Sequence, residues 1–240
     1  MELKPFWRYY GGKWLGAPKY PKPEFDTIIE PFAGAAGYSL RYYDKNIILI
    51  EKYPIIANIW KYLINVSSEE ILSIPLVENI ADLPGWVPDE AKNLIGFLLN
   101  SATVSPSSTL SAGLKRLIKN GHDFYGWSEK ARNRVAKQVN FIRHWKIIEG
   151  DYTEAPVIEA TYFIDPPYQK MGKYYKHKIN DYKSLALWCK SLPGQVIVCE
   201  GKDADWLPFK PFIDIAGMGS KYSKEFIWLN NSEINSSIEN

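Results

Sequence analysis

The sequence predicts an α/β fold, a parallel sheet with helices on both faces, from three observations. Short apolar runs alternate with helical stretches over the first 65 residues, a β-α-β-α order that implies a parallel sheet with right-handed crossovers. Strand-like runs return beyond residue 145. Five predicted strands end in acids, and ligands of such sheets bind at the shared carboxyl edge. The acids are Glu30, Glu51, Asp151, Asp165 and Glu200.

The first part of the chain supplies two strands and two helices. A strand is predicted near residues 26–31, followed by the small-residue turn "EPFAGAAG" and a helix. "NIILIE" is predicted as the second strand, and "IIANIWKYLIN" (55–65) has helical spacing. These elements are the first crossover units of the sheet.

The middle of the chain differs in composition. Proline, serine and glycine interrupt its helical stretches, and "ATVSPSST" indicates a loop or an inserted lobe. Ser128 suits the N-cap of a helix in which Val135, Val139 and Ile142 recur at helical spacing. We therefore expect a mainly helical insert between the two halves of the sheet.

Further strands are predicted after this insert. The strand signals are "WKIIEGD", "TYFIDPP", "QVIVCEG" and "KEFIWLNN". A helix is predicted in "DYKSLALWCKSLPG", with glycine as its stop. The last ten residues are polar, and we expect them to be frayed.

Composition narrows the class of protein. A chain of 240 residues suits one sizeable domain, and 46% hydrophobic with 23% charged residues argues against a disordered chain. Cys189 and Cys199 form neither a disulfide framework nor a zinc spacing. No apolar run approaches the roughly 18 residues of a membrane helix, and the start lacks a signal-peptide core. We expect a cytoplasmic protein with no metal and no membrane association, either a monomer or a weak dimer.

The turn after the first strand is suited to a nucleoside ligand. Gly34 and Gly37 allow close backbone approach to a ligand. Glu51 follows about 20 residues later, at the end of the next strand, from where a carboxylate can accept hydrogen bonds from ribose hydroxyls. The fuller Gly-x-Gly-x-x-Gly pattern is absent, so an adenosine ligand without pyrophosphate fits better than a dinucleotide.

The segment "DPPY" (165–168) predicts a reaction. Proline fixes φ and has no N–H, which leaves the Pro166 carbonyl free of strand pairing. Together with the Asp165 carboxylate it forms an amine grip, two acceptors for the hydrogens of an exocyclic amino group. Tyr168 offers a stacking face for a planar base. A terminator of the strand followed by a core tyrosine is the alternative explanation.

Five motifs in order resemble one enzyme family: "RYYGGKW", "EPFAGAAG", "IEKYP", "EGDY" and "DPPY". They are similar to those of the S-adenosylmethionine-dependent DNA adenine-N6 methyltransferases of the D12 (Dam-like, alpha) class. The resemblance implies a Rossmann-like methyltransferase sheet with a small, mainly helical inserted recognition lobe. Residues 1–67 and 145–232 would form the S-adenosylmethionine-binding catalytic domain, 68–144 the lobe that recognises DNA, and 233–240 a polar tail.

The resemblance also implies roles for individual residues. Lys13 would lie near the cofactor's carboxylate, Glu51 at its ribose, and Asp151 at its adenine. The implied catalytic residues are Asp165, Pro166, Pro167 and Tyr168. The implied cofactor-binding residues are Tyr9, Lys13, Phe32, Gly34, Glu51, Asp151, Tyr152 and Asp165. The sequence departs from the family with Glu51 for the more usual Asp, Tyr152 for Phe, and alanine at the second glycine position of the turn.

The positive charge is concentrated in the insert. Between residues 113 and 145, eight basic and two acidic residues give +6, against +2 for the whole chain. A solvated helix face would explain such a run, and contact with DNA phosphates is the functional alternative. Nearby aromatic and small polar residues favour contact with double-stranded DNA. The candidate DNA-binding residues are Arg116, Lys130, Arg132, Arg134, Lys137, Lys173, Tyr174 and Lys176.

The expected activity is transfer of a methyl group to N6 of a flipped adenine in double-stranded DNA. Transfer to cytosine N4 or to RNA adenine stays open, since both present an exocyclic amine, although Asp before Pro-Pro resembles the DNA adenine enzymes. A non-catalytic DNA-binding protein with a methyltransferase-like fold is the alternative from another class. The target sequence and the setting, restriction-modification or a bacteriophage, stay open.

Overall fold

The seven strands of the described chain form one mixed sheet. The computed structural model describes residues 2–122, 125–170, 175–216 and 222–230, with only the backbone of 215, 216, 222 and 223. The strands are β1 (Thr27–Glu30), β2 (Asn46–Glu51), β3 (Lys146–Glu149), β4 (Ala160–Ile164), β5 (Gly194–Gly201), β6 (Lys210–Ala216) and β7 (Tyr222–Leu229).

The strand order is β3-β2-β1-β4-β5-β7-β6. The first five strands are parallel and follow the order of a doubly wound sheet. β7 runs antiparallel to both β5 and β6. The predicted α/β fold with a Rossmann-like sheet is confirmed, and β6 is a strand that the sequence analysis did not predict.

Six α-helices surround the sheet in the described residues. They are α1 (Pro54–Asn65), α2 (Ser68–Ser73), α3 (Asp89–Leu99), α4 (Ala112–Lys119), α5 (Glu129–Val139) and α6 (Tyr182–Ser191). The predicted N-cap is confirmed, because the Ser128 hydroxyl accepts a hydrogen bond from the Ala131 N–H at 3.3 Å. None of these helices combines the length and apolar character that a membrane span requires.

The prediction of a regular helix after the first turn is wrong. Only a four-residue 3₁₀ helix, Ser39–Tyr42, forms there. The chain enters the left-handed region at Gly34 and again at Ala36, with φ of 45° and 48°. These conformations interrupt helical geometry until shortly before Ser39.

Two hydrophobic cores lie on opposite faces of the sheet. Along β4, Phe163 packs into the first core, whereas Tyr162 and Ile164 pack into the second, as strand alternation requires. The first core holds apolar residues of α1, α3 and α5, and the second holds those of α6. The segment 68–144 therefore shares the first core with the sheet, and the boundaries of the predicted lobe stay a prediction.

Candidate active site

A cleft of about 860 Å³ opens at the carboxyl edge of the parallel strands. Its walls come from the N-terminal loop and from the chain following β1, β2, β3 and β4. Most of the residues predicted for the cofactor and the reaction line it. They are Tyr9, Lys13, Phe32, Gly34, Glu51, Asp151, Tyr152, Asp165 and Pro167.

Glu51 is fixed against the turn that follows β1. Its carboxylate accepts hydrogen bonds from the N–H groups of Gly34, at 3.0 Å, and Tyr53, at 2.8 Å. Burial raises the pKa of Glu51, and these hydrogen bonds oppose the shift. A carboxylate has about four lone-pair sites, so acceptor capacity remains for a ligand. The predicted ribose role suits this geometry.

The N-terminal loop packs against the same turn at Gly37. A Cβ on Gly37 would lie 2.5 Å from the backbone nitrogen of Trp14, so only glycine fits without a backbone shift. The neighbouring Lys13 is thereby held at the cleft. At the opposite end of the loop, the Tyr175 hydroxyl donates to the Tyr10 carbonyl at 3.2 Å.

Lys13 forms a buried ion pair with Asp165. The two charged groups approach to 2.9 Å, and the lysine side chain is only 6% exposed. The ammonium also donates to the Gly11 carbonyl at 2.8 Å and lies 3.9 Å from the Glu225 carboxylate. The sequence analysis expected Lys13 at the cofactor's carboxylate. In the structure, its ammonium contacts the carboxylate of Asp165, and the role at the cofactor stays a prediction.

Burial shifts the pKa values of Asp165 and Lys13 in opposite directions. It raises the pKa of Asp165 to about 6, against the attraction of the Lys13 ammonium. Burial alone would lower the pKa of Lys13, but the carboxylates of Asp165 and Glu225 outweigh it, so the pKa of Lys13 is raised. The lysine is therefore a permanent cation, and Asp165 is the group of this pair that can titrate near neutrality.

Tyr168 does not line the cleft. Its ring centroid lies 4.9 Å from the Lys13 ammonium, and its hydroxyl donates to the Glu225 carboxylate. A Cβ on Gly201 would lie 3.0 Å from the ring, which places the backbone of Gly201 against it. Use of Tyr168 as a stacking face for a base therefore requires Lys13 to move.

The two prolines of the tetrapeptide differ in their surroundings. Pro167 lines the cleft, and its carbonyl accepts a hydrogen bond from the Tyr182 hydroxyl at 2.5 Å. Pro166 is buried and is not among the lining residues. Within the described residues, no donor bonds its carbonyl oxygen. The predicted second acceptor of the amine grip therefore lies just beneath the surface of the cleft.

The pair that the family resemblance implies at the cofactor's adenine, Asp151 and Tyr152, lines the cleft together with Phe32 of the cofactor turn. The rings of Phe32 and Tyr152 stack at 5.5 Å between centroids with an interplanar angle of 28°. The Asp151 carboxylate forms an ion pair with Lys52 at 2.7 Å. The structure thus brings Phe32 and Tyr152 together, and Asp151 is already bound by a neighbouring cation.

The two remaining acids at the carboxyl edge of the sheet, Glu200 and Glu30, differ in their position relative to the cleft. Glu200 does not line the cleft, since its buried carboxylate accepts from the Gln169 N–H at 3.1 Å and from the Trp206 indole at 2.8 Å. It holds the segment that follows the tetrapeptide. Glu30 does line the cleft, and burial raises its pKa to about 8.

Glu225 is a site residue that the sequence analysis missed. It is buried, pairs in register with Gly201 across the antiparallel β5–β7 ladder, and reaches both Lys13 and Tyr168. The available signal was an acid inside the otherwise apolar end of "KEFIWL". An interior strand acid beside buried apolar neighbours indicates a partner in the fold.

Comparisons with known proteins assign no family. A scan of protein-family models gave no match, and neither did a search of curated proteins. A solved structure titled "conserved hypothetical protein" from Streptococcus pyogenes aligns with TM-score 0.36 at 11% identity, covering 89% of each chain. "Putative methyltransferase yhhF from Escherichia coli" aligns with TM-score 0.33 at 11% identity, covering 84% of this chain and 74% of that one. Likenesses this low carry no argument about function.

The candidate DNA-binding residues that the structure describes differ in their surroundings. Arg116, Lys130 and Lys137 are exposed on α4 and α5. Arg132 donates to the Ile74 carbonyl at 2.9 Å, a structural contact, and Arg134 lines a second cavity. Lys176 is exposed at the rim of the cleft, while Lys173 and Tyr174 lie outside the described residues. The DNA interface stays a prediction.

Proposed function

We propose that the chain is an S-adenosylmethionine-dependent methyltransferase that acts on N6 of a flipped adenine in double-stranded DNA. The observation that carries the proposal is the Lys13 ammonium on Asp165. It is a nitrogen with N–H donors, held 2.9 Å from the carboxylate and 4.9 Å from the Tyr168 ring centroid. A flipped adenine that places its amino group there would meet the same acceptor and the same ring.

The cleft has the donor pattern that the cofactor needs. It is an open cleft lined by aromatic rings, backbone of the glycine turn and carboxylates. Gly34 has a positive φ, and a Cβ at this position would lie 3.2 Å from the Tyr9 ring. A glycine here therefore allows the backbone of the turn to lie close to the cofactor. Glu51 would hold the ribose, and Phe32 with Tyr152 would contact the adenine. When bound, S-adenosylmethionine supplies an electrophilic methyl group.

Residues of the chain would position the target amine and take up its proton. Asp165 Oδ1 and the Pro166 carbonyl oxygen would accept the two N–H groups, which aims the nitrogen lone pair at the methyl donor. With a pKa of about 6, Asp165 is a better proton acceptor than an ordinary carboxylate. Lys13 must first leave Asp165, and the cofactor's carboxylate is the partner that the family resemblance implies for it.

DNA is the substrate class that the remaining features favour. Methylation of an amino group inside a duplex requires extraction of the base. The exposed cations of α4 and α5 can supply phosphate contacts that position the duplex but carry no sequence information. We propose that residues 68–144 act as the recognition lobe on this basis.

The proposal is tested by direct identification of the methylated base. The purified chain is incubated with isotope-labelled S-adenosylmethionine and unmethylated duplex DNA, and nucleosides from the digested DNA are identified by mass spectrometry. We expect label in N6-methyl-2′-deoxyadenosine. Asp165→Ala should abolish transfer and retain cofactor binding at least in part, whereas the exposed Asp44→Ala, as matched control, should leave transfer unchanged.

The other outcomes identify the alternatives. Label in N4-methylcytosine, or transfer to RNA adenine but not to DNA, would contradict the proposed substrate while keeping the amine chemistry. DNA binding without measurable S-adenosylmethionine binding in calorimetry would favour the non-catalytic protein. Full activity of Asp165→Ala would remove the basis of the mechanism.

A further inference from the structure

A second cavity lies beside the candidate active site and has a different chemistry. It is open to solvent and shares the wall residues Tyr9, Gly12, Ala35 and Gly37 with the first cleft. Its cations are Lys4, Arg8 and Arg134. Among the residues that the structure describes, no aspartate or glutamate lines it. The cavity is therefore suited to a ligand that carries negative charge.

Arg134 is the least compensated of these cations. It lies on α5, and its Nε is buried with no hydrogen-bond partner. Burial lowers the pKa of Arg134, and the neighbouring Arg8 guanidinium lowers it further. Within the described chain, no carboxylate forms an ion pair with either arginine. An anion between two such cations would relieve their mutual repulsion.

A buried indole adds a second donor without a partner. Trp7 lines the cavity and is 1% exposed, and its Nε1–H makes no hydrogen bond. A buried donor without an acceptor is unfavourable. The indole is a donor only, as are the guanidinium groups, so the ligand must be rich in acceptors.

The remaining polar groups already have partners. Lys4 forms an ion pair with Glu2 at 2.8 Å and lies 4.5 Å over the Trp14 ring. Arg8 Nη1 donates to the Tyr125 hydroxyl at 3.1 Å, and its guanidinium lies 4.8 Å from the centre of that ring. Arg8 retains donors for a further acceptor, since a guanidinium carries five N–H groups.

The walls of the cavity are largely aromatic. Tyr9, Phe97 and Tyr125 line it together with the two tryptophans. Aromatic side chains provide stacking or edge contacts to a planar ring, and arginine binds phosphate through its planar fork. An inorganic anion would use the cations alone, whereas a nucleotide would use both features of the wall.

We propose that this cavity binds a nucleoside 5′-phosphate, with its phosphate at Arg8 and Arg134 and its base against the aromatic wall. The ligand can come from two sources, a free mononucleotide or one nucleotide of a DNA strand that also enters the neighbouring cleft. The site stands on its own residues and does not require the proposed methyl transfer.

The probes are thymidine 5′-monophosphate and a single-stranded oligothymidylate, measured by calorimetry and fluorescence anisotropy at two salt concentrations. Thymine differs from the adenosine expected in the first cleft. We expect Arg134→Gln and Arg8→Gln to weaken binding about tenfold or more, because each removes charge-assisted hydrogen bonds to phosphate. Lys190→Gln on α6, an exposed residue packed near the other core, is the matched control and should change affinity less than about twofold.

Further variants separate this site from the first cleft and from a folding defect. Glu51→Gln should leave thymidylate affinity unchanged, whether or not the chain is a methyltransferase. Arg134→Lys keeps the charge but loses the planar fork, and we expect intermediate weakening in a folded protein, checked by circular dichroism. Arg8 is exposed, so its variant should fold normally.

The outcomes decide both the site and its source. Binding of both probes, weakened by the arginine variants, supports a nucleotide site open to free ligand. Binding of the oligonucleotide alone, with the same sensitivity, supports a site for one nucleotide of a strand. The proposal is overturned by no binding of either probe at millimolar concentration, by equal effects of Lys190→Gln, or by sensitivity to Glu51→Gln and not to Arg134→Gln.

Discussion

The Lys13–Asp165 pair makes a strong prediction about folding stability. Both groups are buried, so loss of either one leaves the other as a charge with an incomplete shell of partners. We compare Lys13→Met, Asp165→Asn and the double variant. Lys13→Met should destabilise the fold strongly and Asp165→Asn much less, and the double change should cost clearly less than the sum of the two.

The magnitude follows from the geometry. At 2.9 Å and an effective dielectric constant of about 20, the attraction is about 6 kcal/mol, and the removal of one partner from buried pairs costs about 3–5 kcal/mol. Glu225 lies 3.9 Å from the ammonium and still binds it in Asp165→Asn. We therefore expect about 3–5 kcal/mol for Lys13→Met, which leaves two neighbouring carboxylates without their cation. Asp165→Asn should cost much less, because burial raises the pKa of Asp165 to about 6 and so already disfavours its charged form at pH 7.5.

The assay is urea unfolding at pH 7.5, without cofactor, followed by fluorescence and circular dichroism. The free energies form a double-mutant cycle, which isolates the pair from effects on other neighbours. We expect a coupling energy of about 2 kcal/mol or more. A cost below about 1 kcal/mol for Lys13→Met, or effects that simply add, would refute a largely buried ion pair at this position.

Three further changes test other parts of the site. Glu30→Gln should stabilise the protein by up to about 4 kcal/mol at pH 9 and hardly at all at pH 4.5. The reason is that folding raises the pKa of Glu30 from 4.5 to about 8, so the stability of the wild-type protein falls as the pH rises from 4.5 to 8. Urea unfolding at a series of pH values measures this difference. Gly37→Ala should cost about 1–3 kcal/mol in thermal or urea unfolding, since its Cβ meets the backbone of Trp14, whereas the unhindered Gly85→Ala, as control, should be nearly neutral. Glu51→Gln should weaken S-adenosylhomocysteine binding about tenfold in calorimetry; unchanged affinity would exclude a ribose role.

The sheet could be predicted from the sequence because its parallel strands are short apolar runs ending in acids. Edge strand β6 (Lys210–Ala216) lacks that pattern, since proline and charged residues interrupt it. The regular helix predicted after the first turn does not form, for a different reason. Ala36 adopts a left-handed backbone that alanine rarely takes, and residue type alone does not indicate this.

The residues around the cleft were predictable as a set, but not their pairing. Motif spacing placed Lys13, Glu51 and Asp165 at one edge of the sheet, and all three line the cleft. The contact between Lys13 and Asp165 joins residues 152 positions apart and depends on how the loop packs on Gly37. Glu225 comes from the antiparallel strand β7, whose place beside β5 is a matter of topology that no local pattern encodes.

The buried cation also sets the energetics of the proposed reaction. Asp165 and Glu225 would both be costly as unpaired charges, and Lys13 satisfies them in the free protein. A neutral amino group is a weaker partner for a carboxylate than an ammonium, so it cannot displace Lys13 by that contact alone. The difference must come from stacking on Tyr168, from contacts to DNA, and from a new anionic partner for the lysine. If the cofactor's carboxylate is that partner, bound cofactor lowers the cost of opening the amine grip, and base entry is favoured only when the methyl donor is in place.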